Sequence, residues 1–196
     1  MTRLNQKVRR NGGMTYVELI VVLGIFAILS SVAIFNYGAF QAKVDIKNLA
    51  SDIALRVVQA QKSALSGEQN INEPLNWKPS YGVYFNPGSN NSFIYFANLN
   101  NNYFFDGSNC TNECLNYVSI SKNDFIQKVE SYLGSSPTQI TNPIAVTFTR
   151  PDSRAYFSYA NNIPLSGFDF IQITVASPSG AIALIKIYPS GRIQVN

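Results

Sequence analysis

The sequence predicts an α+β protein in which a long N-terminal helix packs, over its second half, on an antiparallel β-sheet head. Three observations carry that expectation. Leu19 to Ala42 is a run of 24 residues without a charge. The stretch after it repeats apolar residues at spacings of three and four, the period of a helix with one buried face. From residue 68 onward, short aromatic and β-branched runs alternate with clusters of Pro, Gly, Asn and Ser, the pattern of strands and turns.

Residues 1–13, MTRLNQKVRRNGG, form a polar, basic leader. Arg3, Lys7, Arg9 and Arg10 supply the whole net charge of +4, and all eleven acidic residues come later, from Glu18 on. The 183 residues after the leader are formally neutral. A neutral body has little long-range attraction for nucleic acid, which argues against DNA as a partner. The chain has no histidine. That excludes His-based acid–base catalysis, Ser-His-Asp and Cys-His nucleophiles, and His-ligated metals. Two cysteines are too few for a four-cysteine zinc site or an iron–sulfur cluster. No catalytic constellation, metal or cofactor is expected, and the chain reads as a non-enzyme.

Residues 14–42 form the first helical segment. About 20 apolar residues cross a bilayer, so LIVVLGIFAILSSVAIF (19–35) predicts one membrane span. The basic leader then stays in the cytoplasm, with the rest of the chain outside. Glu18 does not suit a plain anchor, because a carboxylate at the membrane edge is costly without a partner.

The string GGMTYVELIVVLGIFAILSSVAIF resembles the class III signal of type IV prepilins and type II secretion pseudopilins. That signal combines a short basic leader ending in Gly, a large apolar residue, a Glu at the fifth mature position and an apolar helix. The resemblance implies cleavage after Gly13 by a prepilin peptidase and N-methylation of Met14, which stands where Phe is more usual. It implies that Glu18 neutralises the N-terminal amine of a neighbouring subunit during filament assembly. It also implies a type IV pilin-like fold, with the peptidase, other pilin or pseudopilin subunits and the membrane as partners. The competing reading is a secretory signal peptide cut after Ser31-Val32-Ala33. That would leave a secreted or singly anchored β-rich binding protein.

Residues 43–67 continue the helix. Ile46, Leu49, Ile53, Val57, Ala60 and Ala64 form the apolar stripe, Asp52 and Arg56 an i,i+4 pair, and Gly67 the stop. No proline lies between Met14 and Gly67, so one helix of about 50 residues is expected. In the head, residues 68–196, strands are expected over 81–85, 92–99, 117–120, 125–133, 144–149, 154–158, 170–176, 181–188 and 192–195, joined as a meander. The C-terminal half, FTRPDSRAYF with ITVASPSGAIALIKIYPSGRIQVN, is similar to the terminal sheet of H-type pseudopilins and their FimT-like relatives. Ser153 stands where Gly is common there, and Gly191-Arg192 supplies the final Gly-Arg pair. Some FimT-like minor pilins take up DNA through a basic tail. This chain ends in Gln194-Val195-Asn196 instead.

Cys110 and Cys114 lie in GSNCTNEC. In an oxidising space the pair closes a small disulfide loop; in a reducing compartment it stays as two thiols. Asp106, Ser108, Asn109, Asn112 and Glu113 offer oxygens in the same loop. An organised calcium site needs more fixed carboxylates, so a solvated polar loop is expected. Of the aromatic residues Tyr81, Tyr84, Phe85, Phe93, Tyr95, Phe96, Tyr103, Phe104 and Phe105, alternation assigns about half to the core.

Overall fold

A computed structural model of the chain describes residues 12–69, 77–107, 110, 112–159 and 163–196, with the backbone alone at 33, 35 and 36. The chain divides into two compact units, Met1–Phe40 and Gln41–Asn196.

Helix α1 runs Tyr16–Ser66, 51 residues without a proline. Thr15 caps it: its Oγ1 accepts the Glu18 N–H at 3.2 Å, and its carbonyl accepts the Leu19 N–H at 3.1 Å. The other end closes as a Schellman motif. Gly67 N–H donates to Ala64 O and Glu68 N–H to Ser63 O, with Gly67 at φ 70. The expected stop at Gly67 is therefore where the helix ends. Within the first unit, the large apolar side chains described on α1, from Val17 to Phe40, are exposed. The helix is long and apolar enough to cross a membrane.

Within the second unit, α1 buries the expected stripe. Ile46, Ile53, Val57, Ala60 and Ala64 are buried, joined by Ala50 and Ala54, with Leu49 packed at the margin. The alanines let the helix backbone approach the sheets closely. The Asp52–Arg56 pair does not form; Arg56 donates to Gln59 Oε1 at 2.9 Å.

The strands are β1 Ser80–Phe85, β2 Ser92–Ala97, β3 Cys114–Ser119, β4 Phe125–Leu133, β5 Ser136–Ile140, β6 Ile144–Thr149, β7 Tyr156–Tyr159, β8 Ile163–Pro164, β9 Phe170–Ala176, β10 Ile182–Ile187 and β11 Ile193–Val195. Each expected strand is present, including 125–133. Two short edge strands, β5 and β8, were not expected, because each carries a proline and little apolar alternation.

The pairing is antiparallel throughout but is not a single meander. One sheet has the order β3-β2-β1-β6-β7-β8, the other β11-β10-β9-β4-β5. The chain leaves the first sheet after β3, builds β4–β5 in the second, and returns beside β1 as β6. Local hydrophobic patterning specifies a strand and its faces. It does not specify which distant strand completes the ladder.

The inner faces of both sheets meet α1 in one core. Tyr81, Val83, Phe85, Phe93, Tyr95, Val146 and Phe148 come from the first sheet, and Val129, Ile171, Ile173, Val175, Ile185 and Ile187 from the second. Polar contacts fix the helix in register. Tyr95 Oη donates to Ser63 Oγ at 3.1 Å, and Lys122 pairs with Asp45 at 2.7 Å. A smaller cluster lies on the outer face of the first sheet, where Phe104 and Phe105 cover Ile94, Phe96 and Ala145. It explains why β2 and β6 are buried on both faces, and why seven of the nine aromatic residues singled out above are buried.

A fragment beginning at Gln41 contains this whole core, so it is expected to fold alone with a mainly β circular dichroism spectrum. Ile53→Ala removes a fully buried side chain and should lower its unfolding free energy by about 2–5 kcal/mol, read by urea denaturation.

Candidate functional site

The sequence directs attention to three places: the helix start, the cysteine loop and the C-terminal Gly-Arg pair. At the helix start, Gly12 and Gly13 precede the first turn, and a Cβ at either would meet nothing within 4 Å. Met14 is exposed. The Gly13–Met14 bond therefore lies in open, non-helical backbone before the cap. The fold itself places no steric demand for glycine at 13. The leader cations Arg3, Lys7, Arg9 and Arg10 lie outside the described residues.

Glu18 sits in the first turn of α1. Thr15 and Glu18 spell T-x-x-E, the pattern of a capping box. Only half of the box forms. The Glu18 backbone N–H binds Thr15 Oγ1, while the Glu18 carboxylate has no partner among the described residues. A carboxylate at a helix N-terminus favours the local dipole. It remains available to a cation brought by another molecule. The cap was readable from the sequence by this pattern and is an addition to the residues expected there.

In the cysteine loop, Cys110 and Cys114 are joined by a disulfide, with Cα atoms 4.7 Å apart. Cys114 opens β3 and packs against the smaller apolar cluster. Glu113 beside it is buried, and its carboxylate clamps the loop. Oε1 accepts the Leu99 N–H and Oε2 the Asp106 N–H, both at 2.8 Å. Asp106 in turn accepts Asn100 Nδ2 at 2.5 Å and Asn102 Nδ2. Asn102 Oδ1 then turns the chain by accepting the Phe104 N–H at 2.9 Å. This chain of bonds delivers Phe104 and Phe105 onto the outer face of the first sheet.

Of the oxygens offered for calcium, those of Glu113 serve the backbone and Asp106 Oδ2 serves two asparagine side chains. No group of three metal-binding side chains assembles among the described residues, and Ser108 and Asn109 lie outside them. Burial pushes the Glu113 carboxyl above the usual glutamate range, outweighing the backbone donors. The role of Glu113 was hidden in the sequence, because nothing local marks a loop glutamate as buried.

At the C-terminus, Gly191 has φ 85 and its N–H donates to Tyr188 O at 2.9 Å. A Cβ there would lie 2.1 Å from Ser153 O and 2.5 Å from Gln61 Nε2. Gln61 of α1 donates to Ser153 O at 2.9 Å and to Gly191 O at 3.3 Å, so this glycine lets the helix tie two turns of the head together. The Arg192 guanidinium lies 3.8 Å from the Tyr188 ring centre. It ends a cross-strand row in which Tyr188 meets Phe170 at 5.4 Å and Phe170 meets Tyr132 at 4.8 Å. The Gly-Arg pair therefore has a structural account.

No family model matches the chain, no curated protein matches it in sequence, and no solved structure matches it.

Two expectations follow. Glu113→Ala leaves the Leu99 and Asp106 N–H groups without their acceptor and should cost about 1–3 kcal/mol in urea unfolding. A raised carboxyl pKa adds stability that is present below the ordinary glutamate range and lost as pH rises through the folded value. The variant should lose that part of the pH slope. Gly191→Ala forces a side chain into the left-handed region, at about 1–3 kcal/mol before any clash is counted. Its thermal midpoint should fall well below that of wild type, whereas Gly13→Ala should leave the midpoint unchanged.

Proposed function

We propose that the chain is a structural filament subunit of the pilin or pseudopilin kind, processed by a prepilin peptidase and assembled through its N-terminal helix. The observation that carries this reading is a single helix with two characters. Its first part exposes apolar side chains all round, its second part belongs to a folded head, and an unpartnered carboxylate stands in its first turn. In an isolated anchor Glu18 gains only the helix dipole, against the cost of a carboxylate at the membrane edge. A bundle of such helices offers it a partner, because each mature chain also brings an α-amine at Met14, four residues away.

The proposed order of events follows from the chemistry. The precursor spans the cytoplasmic membrane once, with the leader inside and the head outside. The disulfide in the head suits an oxidising space. Cleavage of the open Gly13–Met14 bond removes the leader and frees the Met14 amine. In the filament, Glu18 of one subunit meets the amine of its neighbour among apolar side chains, where an unpaired charge is strongly disfavoured.

Glu18→Ala is an informative test because the cap survives it: Thr15 Oγ1 binds the backbone N–H of residue 18, which alanine keeps. The variant should be processed, insert and fold its head. In a dry bundle it leaves the neighbour's amine unpaired, a loss of about 3–5 kcal/mol. Its amount in sheared filaments, relative to the membrane fraction, should fall far below wild type. Equal incorporation contradicts the assembly role and favours a singly anchored protein.

A further inference from the structure

We propose that the cavity between α1 and the turn after β3 binds a calcium ion through the carboxylates of Asp45 and Asp124. The inference rests on a buried carboxylate that the fold leaves without a partner, and it is independent of the filament reading.

Asp45, Asn48 and Asp52 follow one another at spacings of three and four, so they share one face of α1. Across from them, the chain leaves β3 and makes the turn 121–124, which the Asp124 N–H closes by donating to Ser121 O at 3.2 Å. These two segments line a cavity of about 240 Å³, to which the second contributes Ser119, Ser121 and Asp124. Leu49, Phe93 and Ile120 supply apolar lining beside the charges.

An acidic helix face alone is an ordinary solvated surface. Asp124 is what sets this cavity apart. It is only 6% exposed, and its carboxylate has no hydrogen-bond or ion-pair partner among the described residues. A buried charge is costly unless it is paired. Burial pushes the Asp124 carboxyl above the usual aspartate range, the Asp45 charge adds to that shift, and Lys122 opposes it. Lys122 is engaged elsewhere: its ammonium lies 2.7 Å from Asp45 Oδ1, and its side chain is 60% exposed. Gln41 Nε2 donates to the same oxygen at 2.9 Å. The cavity is thus lined by three carboxylates and one ammonium, an excess of two negative charges. One divalent cation balances that excess. In the cysteine loop, by contrast, the Glu113 carboxylate is already bonded to the backbone.

The donor set selects the cation. The ligands on offer are oxygens from carboxylates, Asn48 and two serines, with no thiol or imidazole. Calcium accepts about six to eight oxygens in flexible geometry, whereas magnesium demands a near-ideal octahedron. Two carboxylates on separate elements suit calcium, with Asn48 Oδ1, the Ser121 hydroxyl and water completing the shell. So few charged ligands place the affinity in the weak class, with Kd about 0.1–1 mM. Binding displaces the Lys122 ammonium from Asp45, so this lysine competes with the ion.

The full chain in detergent is titrated with calcium chloride by calorimetry. One site in that affinity range is expected. Asp124→Asn and Asp45→Asn should each weaken it by about tenfold or more. Lys122→Met removes the competing charge and should tighten it by about threefold. Asp106→Asn in the cysteine loop should bind as wild type does. With a chelator present, Asp124→Asn removes an unpaired buried charge, so its thermal midpoint should equal or exceed that of wild type. No binding up to about 10 mM calcium, tenfold above the expected range, overturns the proposal. So does binding that both aspartate variants leave unchanged, or that Asp106→Asn abolishes, or that Lys122→Met weakens. Equal affinity for magnesium, or a lowered midpoint of Asp124→Asn in chelator, overturns it as well.

Discussion

One uninterrupted helix carries two different surfaces, and the head follows from the second of them. Within the second unit α1 shows one buried stripe, and the head is built to fill it. The stripe alternates bulk and smallness, with Ile46, Ile53 and Val57 set among Ala50, Ala54, Ala60 and Ala64. Both sheets can then converge on the helix. Within the first unit the same backbone carries apolar side chains in every direction and has no stripe. A water-soluble protein gains nothing from that arrangement, because the burial of apolar area is what stabilises a fold in water. Over that part the helix is long and apolar enough to cross a membrane.

The head solves a second problem, which is how to finish sheets whose strands are buried on both faces. For the first sheet the answer is the loop from Leu99 to Cys114. Its own carboxylates, Glu113 and Asp106, are spent on fixing its backbone and asparagines, and the product is a lid of Phe104 and Phe105 over Phe96. The disulfide sits at the end of that lid, where β3 begins. For the second sheet, the outer face carries the cross-strand row Tyr132–Phe170–Tyr188–Arg192. In each device the partners lie within the fold.

The sequence was most legible where period and chemistry coincide locally. The helix stripe, the stop at Gly67 and the strand runs are all properties of neighbouring residues, and each is found in place. Pairing partners were not legible, since β1 finds β6 and β4 finds β9 across long stretches of chain. Buried polar roles were equally silent. Glu113 reads as a solvated loop residue and Gln61 as part of a polar helix face, until strands from elsewhere bring Leu99, Ser153 and Gly191 to them. At the helix start the T-x-x-E pattern was readable as a cap. The backbone of Glu18 serves that cap, and its carboxylate has no partner among the described residues.

The account stands or falls on what happens at the bond before that helix. Intact-mass analysis of the chain recovered from membranes that contain a prepilin peptidase tests it most directly. The account predicts a mature chain beginning at Met14, lighter by residues 1–13 and carrying a methyl group on its new amine. A chain that keeps its leader, or one cut after Ala33, would contradict it.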